Sequence, residues 1–162
     1  MRTYANEHYF VNSVTMKLIE PATPEEFEQY YALRWQLLRK PWKQPRGSEK
    51  DDNEESAYHI MALENGLATG VARLEFPQTH LAQLRYMAVS NPNQGKGIGR
   101  AIIKHMEEYA ISQSVNTLFL HARENACGFY EKMGYQPVEK SYVLFDTIQH
   151  IKMKKILPNN IE

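Results

Sequence analysis

The sequence predicts an α/β fold in which one mixed, mostly antiparallel sheet of about seven strands is flanked by helices. Three observations predict it. Three apolar segments follow one another between residues 57 and 89, and Asn65-Gly66 between two of them is a strong hairpin signal. A strand, a glycine-rich turn, an amphipathic helix and another strand then run from Leu84 to Ala122, which implies a parallel strand pair with a right-handed crossover. Two further strands close the pattern.

Length and composition describe an ordinary globular protein. The 162 residues suffice for one domain with a full core, and 43% of them are hydrophobic. Lys plus Arg and Asp plus Glu both number 19, so no basic excess points to nucleic acid. The single cysteine, Cys127, excludes an internal disulfide and a cysteine-rich metal site and fits the cytoplasm. No apolar run is long enough to span a membrane.

The regular pattern begins near Met16, which sets the predicted domain limits. We interpret residues 1–15 as an N-terminal extension, either poorly ordered or an alternative upstream start, because they lack the apolar core of a signal peptide. Residues 16–157 form a single domain, and residues 158–162 form a tail.

A strand over Met16–Glu20 is followed by a helix that begins at Thr23-Pro24 and ends near Lys40. Thr23 is a suitable cap, and proline suits the first helical position. Arg34 lies on the same face as the apolar and aromatic positions, where an unpaired charge is costly. We expect Arg34 either to reach a structural carboxylate or the helix edge, or to face the floor of an active site.

The polar segment 41–56 connects this helix to the next strand and concentrates acidic residues. Two readings stay open: a solvated loop, or a rim whose local potential attracts a cationic amine. The acids are Glu49, Asp51, Asp52, Glu54 and Glu55.

The remaining elements follow from alternation and helical periodicity. The helix after the glycine-rich turn has an apolar face that includes Ile102 and Met106, and it places Lys104, Glu107 and Glu108 opposite. The predicted strands are 57–63, 67–76, 79–89, 116–122, 135–144 and 147–156, and the predicted helices are 97–113 and 125–133.

The segment 94–100 has the character of a diphosphate cradle. Three glycines within five residues let the backbone approach a bulky anion, and the following helix begins with free N–H groups at the positive end of its dipole. Lys96 and Arg100 add charge. The P-loop ending is absent, and a dinucleotide fingerprint does not fit G-x-G-x-G in mid-chain. A turn without a ligand, or a nucleotide site, is the alternative from these residues alone.

Two blocks resemble the GNAT superfamily of N-acetyltransferases. The run from Met87 to Arg100, MAVSNPNQGKGIGR, is similar to that family's coenzyme A-binding core, and NACGFYEKMGY, from Asn125 to Tyr135, is similar to its later helix. The resemblance implies a sheet splayed between the strands at Leu84–Val89 and 116–122. It also implies direct attack of a primary amine on acetyl-CoA in a ternary complex.

The resemblance further implies which residues bind the cofactor. The pantetheine arm would pair with the backbone of the strand before the cradle, and an N–H near Ala88 or Val89 would stabilise the oxyanion. The cofactor-binding residues implied are Met87, Ala88, Val89, Gln94, Gly95, Lys96, Gly97, Ile98, Gly99, Arg100, Asn125 and Tyr130. Asn125 has the alternative role of a helix cap.

Tyr130 matches the tyrosine that the family places near the thioester sulfur, and a phenol can protonate a leaving thiolate. The alternative is a packing tyrosine. Some relatives carry a glutamate base where this chain has Gln83, which cannot take a proton. His121, near a strand end, is the candidate base, with Glu75, His80 or water as the alternatives.

The chain is most similar in pattern to the ElaA/YjcF-like bacterial acetyltransferases. The matching positions are Arg34, His59, Arg73 and His150, which form either a structural network or the acceptor pocket. Tyr86 stands where ElaA-like chains have an arginine, and Gln149 replaces a proline.

The acidic connector favours a small cationic amine as acceptor, and the resemblance implies a homodimer. We expect no metal, nucleic acid or membrane partner. A non-catalytic acyl-CoA-binding sensor with the same fold is the alternative function.

Overall fold

The computed structural model describes residues 7–11 and 14–158. These residues contain one strand more than predicted. The additional strand, β1, lies inside the predicted N-terminal extension and includes Tyr9, Phe10 and Val11, whose residue types favour strands. All of the predicted tail except Pro158 lies outside the described residues. The elements are β1 Glu7–Val11, β2 Val14–Ile19, α1 Pro24–Leu38, β3 Tyr58–Glu64, β4 Leu67–Gln78, β5 Leu81–Val89, α2 Ile98–Ser112, β6 Thr117–Arg123, α3 Cys127–Lys132, β7 Gln136–Leu144 and β8 Ile148–Ile156.

The chain divides into two compact units. The first unit contains the described residues up to Leu74 together with Tyr86–His105, and the second contains Glu75–Arg85 and the described residues from Met106 onward. β4, β5 and α2 therefore each contribute residues to both units. Among the described helices, none has the length and apolar character needed to cross a bilayer.

The strands of the first unit are neighbours in the order β1-β2-β3-β4-β5, with antiparallel pairing from β1 through β4. α1 begins at the predicted cap, Thr23, which the structure shows to be part of a capping box: the side chains of Thr23 and Glu26 each accept a backbone N–H from the other residue. Tyr30 and Leu33 on the buried face of α1 join Ile19, Met61 and Val71 in a core cluster.

Glycine at position 70 sets how closely α2 approaches β4 in this unit. A Cβ on Gly70 would lie 2.8 Å from Ile102 Cδ1 and 3.2 Å from Ile98 Cγ2. The first turns of α2 therefore pack directly onto the backbone of β4, which fixes the start of the helix relative to the sheet.

In the second unit the order is β4-β5-β6-β8-β7. The predicted parallel pair is confirmed, because Leu81–Leu84 of β5 pairs in parallel with Thr117–Leu120 of β6. β8 is antiparallel to both β6 and β7. The predicted fold class, a mixed and mostly antiparallel sheet with flanking helices, is confirmed.

One predicted surface position is wrong. Glu107, expected on the solvent face of α2, is buried, and its carboxylate accepts hydrogen bonds from Lys155 Nζ at 2.8 and 3.0 Å and from the Tyr135 hydroxyl at 3.4 Å. The periodicity of one helix could not predict this, because both partners lie on later segments of the chain.

Candidate active site

The C-terminal half of β5 differs from its N-terminal half in burial and in pairing with β6. Burial alternates along β5 as far as Leu84 and then gives way to five half-buried residues, Arg85 to Val89. The last pair of the parallel ladder with β6 is Leu84 with Leu120, at the same point. Tyr86 has φ 52°, a left-handed conformation inside a strand. Met87, Ala88 and Val89 follow it and are partly accessible, as a strand that binds a ligand through its backbone must be.

The loop after β5 is held by its own side chains. Ser90 N–H donates to Thr69 O on β4 at 2.9 Å, and a short 3-10 turn spans Asn91–Asn93. The Gln94 side-chain amide donates to Val89 O and to Asn91 Oδ1, both at 3.1 Å. The Gln94 side chain therefore stabilises the loop through hydrogen bonds within it. The groups of the loop that can contact a ligand are mainly backbone groups.

The glycine-rich turn has the geometry that an anion site needs. Gly95 and Gly97 have φ 79° and 87°, and nothing lies within 4 Å of where a Gly95 Cβ would be. α2 begins at Ile98, and Ala101 N–H donates to Gly97 O at 3.0 Å. The N–H groups at positions 98–100 precede that bond, at the positive end of the helix dipole. These groups, with exposed Arg100, fit a diphosphate.

A second feature of the first unit is a buried cluster of charges, which we call the arginine network: Arg34, Arg73, Asp51 and Glu54. Both arginines are fully buried. Glu54 bridges them, accepting from Arg34 Nη1 at 2.9 Å and from Arg73 Nη1 at 2.6 Å. Arg73 also binds Asp51 through two parallel hydrogen bonds of 2.7 and 2.9 Å. Two positive and two negative charges thus neutralise each other inside the protein.

Aromatic and histidine side chains complete the surroundings of Arg34. Arg34 Nη2 donates to the Tyr30 hydroxyl at 2.7 Å, and that hydroxyl lies 2.9 Å from His59 Nδ1. His59 Nε2 lies 2.7 Å from the Glu54 carbonyl oxygen, which can only accept, so Nε2 carries a proton. Burial lowers the pKa of His59, which favours the neutral ring.

The structure corrects both readings of the acidic connector. Asp51 and Glu54 turn inward to the arginines, and Glu49 is 1% exposed, with its carboxylate accepting Gly47 N–H at 2.7 Å. Only Asp52 and Glu55 of the five acids are exposed. The reason is that buried arginines on α1 and β4 need carboxylates, and the connector supplies them.

Three of the four predicted substrate-binding residues meet within the first unit. Arg34, His59 and Arg73 meet in the first unit, where they contact protein groups and are almost completely buried. His150 belongs to the second unit, where it stacks on Tyr142 with ring centroids 4.4 Å apart.

In the second unit, Tyr130 lies on α3 and is 8% exposed. Its ring packs edge-on against Phe129 and Tyr135, at 5.1 and 5.9 Å between centroids. Burial raises the pKa of Tyr130, so the phenol stays protonated at neutral pH. Within the part of the chain that the structure describes, no protein group hydrogen-bonds its hydroxyl.

Asn125 is exposed in a 3-10 turn that spans Glu124–Ala126. The alternative role of helix cap is wrong for Asn125, because Ala126 occupies the cap position of α3 and no side chain caps it.

His121 forms an aromatic group with Tyr142, whose ring centroid is 5.3 Å away, and Tyr142 contacts His150 in turn. His121 Nδ1 is buried with no hydrogen-bond partner. Burial and the nearby Lys152 charge lower the pKa of His121, so its ring is neutral and able to accept a proton.

The other candidate bases have partners in the same unit. The carboxylate of Glu75 lies 3.7 Å from Arg85, and His80 Nδ1 lies 2.7 Å from Ser114 O. Over residues 7–11 and 14–158, no group of three or more His, Cys, Asp or Glu side chains could hold a metal ion.

Comparison with known proteins decides the family. A family model described as an acetyltransferase (GNAT) domain matches residues 34–157. The chain belongs to the GNAT acetyltransferase family. Its members transfer acyl groups, so the protein is an acyltransferase.

Individual GNAT proteins agree with the predicted subgroup. The N-acetyltransferase YjcF of Bacillus subtilis is 24% identical over 140 residues, which cover 86% of this chain and 99% of YjcF. A crystal structure assigned as an N-acetyltransferase of Lactobacillus plantarum has TM-score 0.78 and 25% identity, and covers 88% of this chain and 99% of that chain. Escherichia coli ElaA has TM-score 0.74 at 17% identity over the same shares, which shows a common fold. The predicted resemblance is confirmed.

Sequence reasoning missed three residues of this GNAT domain: Asp51 and Glu54 as partners of the arginines, and Tyr86 as a strained residue between them. A signal for the carboxylates was present, because a buried Arg34 requires an acid and the connector concentrates acids. No pattern in the sequence predicts a left-handed tyrosine within a strand, since the conformation depends on contacts with distant residues.

Proposed function

We propose that the protein transfers the acetyl group of acetyl-CoA to a primary amine of a small acceptor, by direct attack in a ternary complex. The observation that carries the proposal is the turn at 94–100, where positive-φ glycines lead into the free N–H groups of α2. Membership of the GNAT family supports it, because that family uses acetyl-CoA as its acyl donor.

The backbone at 87–89 would hold the pantetheine arm as an added strand, and the turn at 94–100 would hold the diphosphate. Asn125 would contact the pantetheine arm. An N–H of Ala88 or Val89 would donate to the oxygen of the acyl carbonyl as negative charge develops on it. The half-buried state of residues 87–89 supports this role.

Two side chains would move protons. His121, neutral at pH 7, would accept the proton that the ammonium form of the acceptor must lose before attack. Tyr130 would give its phenolic proton to the thiolate that leaves as the C–S bond breaks, and its raised pKa keeps that proton available.

A cytoplasmic location is part of this proposal, and the single cysteine, Cys127, supports it. A homodimer stays a prediction, and β7 offers a place to test it because Val138, Tyr142 and Val143 are exposed there.

The test measures thiol release from acetyl-CoA against a panel of primary amines, for the wild type and for Tyr130→Phe. We expect kcat to fall about 100-fold or more while the acetyl-CoA dissociation constant stays within about twofold, because the ring remains and only the proton donor is lost. Tyr109→Phe on α2, which has no proposed role, is the matched control. Unchanged turnover would remove Tyr130 as the acid. Acetyl-CoA binding without thiol release for any amine would favour the sensor.

A further inference from the structure

Tyr86 is the one residue with positive φ inside a strand, among the residues that the structure describes. The other non-glycine residues with positive φ lie in turns or directly after helices: Lys43, Asn65, His80, Ser114, Phe145 and Asp146. A left-handed conformation is unfavourable for any residue with a Cβ. Something in the fold must therefore hold Tyr86, and strain of this kind is concentrated at functional sites.

The arginine network holds it. The guanidinium carbon of Arg34 lies 4.5 Å from the centroid of the Tyr86 ring, and that of Arg73 lies 4.7 Å from it. The Tyr86 hydroxyl donates to Asp51 Oδ2 at 3.3 Å. Cation–π contacts of this kind are strongest where water is excluded, and both arginines are fully buried.

The network is itself rigid, so it can impose a conformation. Glu54 fixes both guanidinium groups, and its carboxylate also accepts Asp51 N–H at 3.0 Å and the Tyr31 hydroxyl at 3.4 Å. Asp51 is fixed in turn by its two hydrogen bonds from Arg73. Because Arg34 and Arg73 are completely buried, the network is better suited to supporting backbone than to contacting an acceptor.

The residues that follow Tyr86 are those proposed to bind the acyl donor. A left-handed residue rotates the peptide groups after it out of the regular alternation of a strand, and the alternating burial of β5 stops at this point. The direction of the Met87, Ala88 and Val89 N–H groups thus depends on the conformation of Tyr86.

We propose that Tyr86 is a positioning residue of the transferase: its left-handed conformation, clamped by the arginine network, aims the backbone of residues 87–89 at the acyl donor. This inference rests on the proposed function.

The test compares three substitutions at Tyr86 with one control. Tyr86→Val removes the ring and places a β-branched residue where φ is positive, Tyr86→Gly permits the conformation without the clamp, and Tyr86→Phe keeps the ring. Asn65→Val, at φ 53° in the β3–β4 turn, imposes the same backbone conflict on a residue without a proposed role. Each variant is titrated with acetyl-CoA, and amide hydrogen exchange of residues 87–89 is measured without cofactor.

We expect Tyr86→Val to bind acetyl-CoA about tenfold more weakly and to exchange its 87–89 amides faster. Tyr86→Gly should bind about threefold more weakly, and Tyr86→Phe should stay within about twofold of the wild type. Asn65→Val should lower the unfolding midpoint and leave acetyl-CoA affinity unchanged.

Wild-type affinity of Tyr86→Gly for acetyl-CoA would overturn the proposal that the arginine network acts through the Tyr86 ring, even if Tyr86→Val fails to fold. Equal losses of affinity in Asn65→Val and Tyr86→Val would overturn it too, by showing a general effect of stability. A wild type that does not bind acetyl-CoA would overturn the proposed function, whereas the exchange measurement would still decide whether Tyr86 positions the backbone.

Discussion

Each unit of this GNAT domain buries a cluster of opposite charges, and the two clusters are built differently. In the first unit, two fully buried arginines share the carboxylates of Asp51 and Glu54. In the second, Lys155 pairs with Glu107, and the Lys155 side chain is 26% exposed. The planar guanidinium can bind carboxylates and stack on a ring at once, whereas the ammonium is a compact charge that keeps part of its hydration.

This difference indicates which cluster has a role other than stabilising the fold. A lysine with access to water can recover hydration when its partner is lost, so the Glu107–Lys155 pair is replaceable. The two arginines of the arginine network are fully buried and have no such access to water, and a buried ion pair adds little net stability by itself. The presence of the arginine network is better explained by what it supports, the strained Tyr86.

The largest expected effect is that of Glu54→Gln. The substitution leaves two buried guanidinium groups with one carboxylate between them, and we expect the free energy of unfolding to fall by about 3–5 kcal/mol. Urea denaturation followed by far-UV circular dichroism measures it. Glu55→Gln, at the exposed neighbouring position, is the matched control. A loss as small as that of the control would mean that the network is not a buried ionic unit.

Glu107→Gln should cost less, about 1–2 kcal/mol, because Lys155 can turn to solvent while the amide retains a hydrogen-bond acceptor. The same denaturation experiment decides it, with Glu108→Gln on the exposed side of α2 as the control. If Glu107→Gln destabilises the protein as much as Glu54→Gln does, the contrast between the two clusters is wrong.

The smallest expected effect is on pH dependence. Burial lowers the pKa of His150, so the unfolded chain binds its proton more readily than the folded protein does. The folded state therefore loses stability as pH falls below about 6.5, the ordinary histidine value. His150→Phe keeps a ring against Tyr142 and should reduce the loss of stability between pH 7 and pH 5. Identical pH profiles for the variant and wild type would contradict this assignment.

Local signals predicted much of the fold. Thr23-Pro24 with Glu26 forms the expected helix start, and Asn65-Gly66 forms the expected hairpin turn, because the energetics of both depend on neighbouring residues. Such signals also predicted the succession of helices and strands along the chain from β2 to β8. The extra strand β1 was missed because it is formed by pairing with β2, and a short segment alone gives little evidence of a partner.

The site was predictable where backbone conformation decides it, as in the glycine-rich turn. It was not predictable where side chains from distant segments meet. Glu54 and Arg73 lie 19 residues apart, and Glu107 and Lys155 lie 48 apart. Local polarity placed Glu54 in an acidic loop and Glu107 on the solvent face of its helix, because polarity assigns a charged residue to the surface unless its partner is known.

The central claim is that the turn at 94–100 and the strand before it bind acetyl-CoA. Isothermal titration calorimetry of the wild type with acetyl-CoA tests it most directly, with ATP and NAD as controls for a general nucleotide site. We expect micromolar binding of acetyl-CoA and no binding of either control. No heat of binding with acetyl-CoA, or equal affinity for all three ligands, would contradict it.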